Sequence, residues 1–165
     1  MTVSTIFVYT MNRVGAVGAW SRYLLPFPVD DFTQLNDTLY IRSGDDVLRV
    51  DESVVTDYAG DAREMPFDGL IQWAWLDFGQ PGSLKQMVGF DIAGTGVPTM
   101  EFGYNQADKG YFTEPFDVPE DTVPGMIIPM PLMAPSYSVR ITYAGGQRWK
   151  FDALNVYLSD QRMTA

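Results

Sequence analysis

Residues 136–160 read SYSVRITYAGGQRWKFDALNVYLSD. Tyr137, Val139, Ile141 and Tyr143 fall on alternate positions, the period of a strand with one apolar face. Gly145-Gly146 is turn chemistry, so the stretch predicts a β-hairpin. On the return arm the apolar set begins at odd positions, Trp149 and Phe151, and continues at even ones, Leu154, Val156 and Leu158. A phase change of one residue marks a β-bulge, placed at Asp152-Ala153.

The same alternation runs outward from this segment, and no window carries apolar residues at helical spacing. TMEFGYN sets Met100, Phe102 and Tyr104 against Glu101. SLKQMVGFDIAG sets Leu84, Val88, Phe90 and Ile92 against Lys85, Met87 and Asp91. LIQWAWLDFG reads as a buried strand. GYFTEPFDV contains Pro115, and GMIIPMPLM contains Pro129 and Pro131, so both belong at a sheet edge or a bulge, where a missing N–H is tolerated. Towards the start, TIFVYTM (5–11) is a β-branched and aromatic strand, and WSRYLL is a second one, ended by Pro26 and Pro28. TLYIRSGDDVLRVD is a hairpin turning at Ser43–Asp46. The acidic, broken stretch near 57–66 marks a boundary.

These patterns predict an all-β chain. Residues 61–165, with seven strands, form an antiparallel β-sandwich of jelly-roll type. Residues 1–60, with about four, form an antiparallel sheet like one propeller blade. A lone blade cannot bury both faces, so it must pack on the sandwich or on another chain. No internal repeat supplies further blades.

Composition narrows the chemistry. Apolar residues make up 46% of the 165 and aromatics 14%, enough for a core. With 21 acids, 11 bases and a net charge of −10, the chain is a poor clamp for nucleic-acid phosphates or anionic lipid. Zero Cys and zero His remove disulfides, thiolate nucleophiles, Cys-containing zinc sites and His-based triads. No run is apolar enough to span a membrane, and residues 2–11 lack the pattern of a secretory leader. No catalytic, cofactor or metal residue is assigned.

Each remaining motif has a structural reading beside a functional one. Asp30-Asp31, Asp45-Asp46 and Glu120-Asp121 suit solvated turns better than glycoside cleavage, because neighbours in a strand point to opposite faces. SGDDVLRVDES lacks the spacing of a calcium loop. AGTG and GAVG lack the lysine and following helix of a phosphate loop. Trp73, Trp75 and Trp149 are a glycan-stacking platform or, more simply, sandwich core. Met126, Met130 and Met133 lie in a proline-stiffened run. They form an interface if that run faces solvent, and a core edge if it does not. Trp20, Arg22 and Tyr23 are interface candidates on the blade-like segment.

Three extended segments carry a likeness to a known family: GAWSRYLLPFPVDDFTQLNDTLYIRSGDDVLRVDE, WLDFGQPGSLKQMVGFDIAGTG, and DTVPGMIIPMPLMAPSYSVRITYAGGQRWKFDALNVYLSD. Together they resemble the carboxy-terminal part of the phage stabilisation proteins, tail accessory or nozzle components of short-tailed bacteriophages. The likeness runs from about Ile6 to Arg162 and rests on no catalytic signature. It implies a virion tail protein without enzymatic activity or cofactor, assembled as a ring, usually a hexamer. The implied partners are an adaptor, a nozzle or propeller-bearing chain, and tail fibres or spikes. Such a ring helps retain packaged DNA and forms its exit channel, so DNA passes without being tightly bound. Family members are typically longer, with blades ahead of this part; a chain starting at Met1 is then a shortened relative or one half of a split protein. The alternative expectation is a carbohydrate-binding β-sandwich module that contacts the host surface.

Overall fold

A computed structural model describes residues 4–11, 18–51, 53–58, 64–119 and 125–159. Among them the chain is all-β and antiparallel, with fourteen strands, and no helix is long and apolar enough to cross a membrane. It divides into two compact units, Met1–Pro66 and Phe67–Ala165.

In the first unit, β1 (Ser4–Met11) pairs with β2 (Gly18–Leu25) as a two-stranded sheet. Strands β3 (Asp31–Leu35), β4 (Thr38–Ser43) and β5 (Asp46–Arg49) form a separate meander, and β6 (Thr56–Tyr58) pairs with β7 (Glu64–Pro66). The blade-like segment is therefore several small sheets rather than one four-stranded sheet. The break falls at Pro26 and Pro28, which have no N–H to extend a ladder. The connector is held by other bonds: Val29 N–H donates to Ser4 Oγ (2.9 Å), Asp30 N–H to the Arg42 carbonyl (3.0 Å), and Gly44 N–H to the Asp30 carboxylate (2.7 Å). Between β3 and β4 the turn residues Asn36 and Asp37 both take positive φ, 50° and 60°, as a two-residue type I′ turn requires.

The second unit is two sheets face to face. One has the order β11 (Phe116–Asp117), β10 (Pro98–Gly103), β13 (Ser138–Tyr143), β8 (Gly69–Gln72); the other has the order β12 (Ile128–Ala134), β9 (Lys85–Thr95), β14 (Lys150–Ser159). Met87, Phe90 and Ile92 from the three-stranded sheet meet Met100, Phe102, Val139, Ile141 and Tyr143 from the four-stranded one, all at most 2% exposed. The Phe90 and Phe102 rings lie 5.1 Å apart across the interior. β12, with Pro129 and Pro131, is an edge strand and also carries a register shift. The bulge expected at Asp152-Ala153 is present as a shift between Phe151 and Ala153.

Three local expectations are corrected. Residues 136–160 are not a hairpin: β13 pairs with β10 and β8, while β14 pairs with β9 in the opposite sheet. The Gly145-Gly146 turn carries the chain across the sandwich. Gly145 N–H is held by the Asp68 carboxylate at 2.7 Å, and Gly146 has φ 85°. Tyr143 and Trp149 consequently face each other and stack, with centroids 4.4 Å apart. The second correction is on β9. Tyr157 sits opposite Gly89 and Leu158 opposite Met87, so Val88 is an extra residue and the alternation changes phase there. Met87 points inward, Leu84 and Val88 are exposed, and Lys85 is buried. The Lys85 ammonium donates to the carbonyls of Gln80 (2.7 Å), Ser83 (2.8 Å) and Pro135 (2.8 Å), which satisfies its three protons. Third, LIQWAWLDFG is a short edge strand followed by irregular chain, with Leu70 and Leu76 exposed.

Candidate interaction surface

Cross-strand register decides which side chains of the β1–β2 hairpin share a face. Directly opposed residues point the same way, so Phe7 with Arg22, Tyr9 with Trp20, and Thr5 with Leu24 form one surface. That surface is open: Phe7 is 65%, Tyr9 47%, Trp20 70% and Leu24 55% exposed. The Tyr9 and Trp20 rings lean together at 4.9 Å, and Arg22 stands between the aromatics as the face's one charge. Tyr23, opposite Ile6, lies on the other side of the hairpin and is also exposed. Trp20 and Arg22 are thus brought together and Tyr23 is not. Phe7, Tyr9 and Leu24 complete the face and were not singled out from sequence, although the alternation of TIFVYTM already placed Phe7 and Tyr9 together.

The first unit is poor in core. Among its described residues, only Leu25 and Ile41 are buried large apolar side chains, whereas Phe32, Leu35, Val47, Val50 and Val54 join the hairpin residues as exposed. The second unit buries a cluster of eleven. Monomers rarely leave contiguous apolar patches of more than a few hundred Å² open, and such patches mark contact sites.

The Met-bearing run splits. Met130 packs against the core beside Ile128 and Leu132, while Met126 and Met133 are exposed at 62% and 52%. The three tryptophans go to different places. Trp73 packs edge-on against Phe151 between the sheets, at 5.4 Å. Trp149 stacks on Tyr143 and lies where a Cβ on Gly69 would be. Trp75 covers Gly103 beside Phe112, and Gly103 alternates with the inward Phe102, so this ring sits on the outer side of the four-stranded sheet. There Arg140 pairs with Glu101 at 3.3 Å and stacks on the Phe112 ring at 4.0 Å.

Among the described acids, Asp30 and Asp31 accept backbone N–H bonds from Gly44 and Phe32, and Asp45 and Asp46 lie exposed at the β4–β5 turn. Glu120-Asp121 and most of GAVG fall outside the described residues. The AGTG glycine Gly96 has φ 92° in the turn between β9 and β10. No three of His, Cys, Asp and Glu gather to hold a metal among the described residues.

The most enclosed of the described acids is Asp91, on the outer face of the three-stranded sheet. Its carboxylate accepts bonds from Tyr157 Oη (2.7 Å), Gly125 N–H (2.7 Å) and Asn155 Nδ2 (2.6 Å). The Tyr157 hydroxyl, then the Gly125 amide, hold its pKa below the ordinary Asp value, and the carboxylate in turn pushes the Tyr157 hydroxyl up. The group pins the Gly125 segment onto β9 and β14. No family model, no curated protein and no solved structure matches this chain.

Proposed function

We propose that this chain is a structural component of a short-tailed phage tail, part of the nozzle or hub, whose first unit completes its core against neighbouring copies in a ring. The observation that carries the reading is the open Phe7, Tyr9, Trp20 and Leu24 face on a unit with only two large buried apolar side chains among its described residues. A two-stranded hairpin is marginal by itself and gains stability when a second layer covers it. The likeness of the three extended segments to phage stabilisation proteins supplies the setting. A net charge of −10 suits a duct wall that repels DNA phosphates and lets the genome slide.

Native mass measurement of the purified protein, alone and with tail adaptor, nozzle and fibre proteins, tests this. The expected result is a closed homo-oligomer, a hexamer on the family likeness, that takes up tail components. A folded monomer that ignores all of them overturns it.

A second reading, a glycan-contacting module, is favoured by Trp75 with Arg140 and Glu101 beside it on an outer sheet face. A glycan array probed with native protein and Trp75→Ala separates the two: binding lost on substitution favours the module.

A further inference from the structure

The sandwich has four strands facing three. Between the two sheets, beside β14, lies a partly open cavity of about 190 Å³. Its walls come from Trp73 and Phe78 after β8, Met87 on β9, Tyr137 and Val139 at β13, and Phe151 on β14. We infer that this cavity binds a small apolar molecule, a single aromatic ring or a compact aliphatic group, independently of the assembly proposed for the first unit.

Three observations argue for it. The first is chemical. A buried water needs two to four polar partners. The Tyr137 hydroxyl accepts from Ala134 N–H (3.0 Å) and lies 2.6 Å from the Lys85 carbonyl, so it is already bonded. The Trp73 indole N–H is the other polar side-chain group in the wall, and it only donates. The side chains of the wall therefore favour an apolar ligand over a charged one, with rings and a thioether as contact surface.

The second is size. An engineered apolar cavity of about 150 Å³ stays dry and takes up benzene or xenon. At about 190 Å³ this one has room for a ring with one or two extra carbons. Exposed Leu76 and Phe78 mark the mouth through which a ligand enters.

The third is backbone conformation. Phe78 has φ 54°, in the left-handed region that a bulky side chain rarely occupies. The turn is fixed around it: Gly79 N–H donates to the Asp77 carboxylate (2.9 Å), and Leu76 and Tyr137 exchange backbone bonds at 2.8 and 3.0 Å. Gly or Asn would satisfy this φ without strain. A phenylalanine held there, 6.5 Å from the Tyr137 ring and forming the cavity's lip, points to a use for its ring.

The experiment titrates the full chain with benzene and with indole, using calorimetry and thermal unfolding, and glucose as a polar control. Native protein is expected to bind one equivalent of at least one aromatic probe saturably and to unfold at higher temperature when loaded. Phe78→Gly removes the lip and relieves the backbone, so it is expected to weaken binding at least tenfold while the free protein unfolds no earlier than native. Val139→Phe fills the cavity and is expected to abolish binding. No saturable binding of either probe overturns the inference. So does undiminished binding by both variants. Phe78 becoming shielded only when the chain oligomerises, with no probe taken up, also overturns it, in favour of a neighbouring chain's side chain.

Discussion

Replacing Trp20 with Ala tests the assembly proposal at its most exposed ring. Trp20 is 70% exposed in the single chain, which leaves about 175 Å² of a side chain of roughly 250 Å² open. Covering that area at about 25 cal/mol per Å² sets a ceiling near 4 kcal/mol per site. Side-chain ordering and imperfect polar pairing take part of it back, so truncation is expected to weaken association by about 2–4 kcal/mol. That corresponds to roughly 30- to 1,000-fold in the association constant for each contact. Among the described residues the ring contact Trp20 loses is the one with Tyr9, so the folded monomer is expected to change by about 1 kcal/mol or less. Sedimentation equilibrium across a concentration series measures the association, and circular dichroism with denaturant measures the fold. Equal association constants for Trp20→Ala and native protein refute the reasoning. A loss of monomer stability larger than the loss of association refutes it too, because the ring is then holding the unit rather than the interface.

Gly69→Ala drives a Cβ into the indole of Trp149, which is itself stacked on Tyr143; overpacking of this kind is expected to cost about 1–3 kcal/mol in denaturant unfolding, and Trp149→Leu in the same chain is expected to recover most of it. Lys85→Met keeps the buried stem but removes the ammonium bonds to the Gln80, Ser83 and Pro135 carbonyls, of which Gln80 keeps the Ser83 N–H, an expected loss of about 2–4 kcal/mol measured the same way. The pKa of Asp91 is depressed in the folded chain, so its contribution to stability is present above the ordinary Asp value and is lost as pH falls through the folded value. Stability of native protein is therefore expected to fall below about pH 4, and Asp91→Asn to be less stable at pH 7 with a flatter acid limb. Asp57 has the opposite sign: burial raises its pKa, protonation relieves the penalty, and Asp57→Asn is expected to raise the neutral-pH unfolding temperature.

Alternation along single strands was legible because it is set by the pleat, which depends only on neighbours in sequence. Met100 and Phe102 on β10, and Tyr137 to Tyr143 around β13, needed nothing more. The phase change near Asp152 was legible for the same reason. Pairing was not. A Gly-Gly turn between two alternating arms looks the same whether the arms hydrogen-bond side by side or face each other across a core. Here the choice rests on the Tyr143–Trp149 stack and on the Asp68 carboxylate that holds Gly145, 77 residues away in sequence. The bulge at Val88 was hidden by a coincidence of composition. Leu84, Val88, Phe90 and Ile92 make a better apolar face on paper than Lys85, Met87, Phe90 and Ile92, and a buried Lys85 is made acceptable by the carbonyls of Gln80 and Ser83 in the preceding turn and of Pro135, 50 residues away.

The candidate surfaces divide along the same line. Trp20 and Arg22 were visible as unusual residues in a short strand, but the face they belong to exists only once β1 is laid against β2 in register, bringing Phe7 and Tyr9 across from them. The three tryptophans were equivalent in sequence because each lies in an aromatic-rich strand context. Two of them are set apart by glycines they pack on: Gly69 makes room for Trp149 inside the sandwich, and Gly103 makes room for Trp75 outside it. The same physics separates the two units. The second has enough strands to bury eleven apolar side chains in its own interior. The first is interrupted at Pro26 and Pro28 before any sheet grows past three strands, so Phe7, Tyr9, Trp20, Tyr23 and Phe32 stay exposed, and it is on these side chains that the proposed assembly rests.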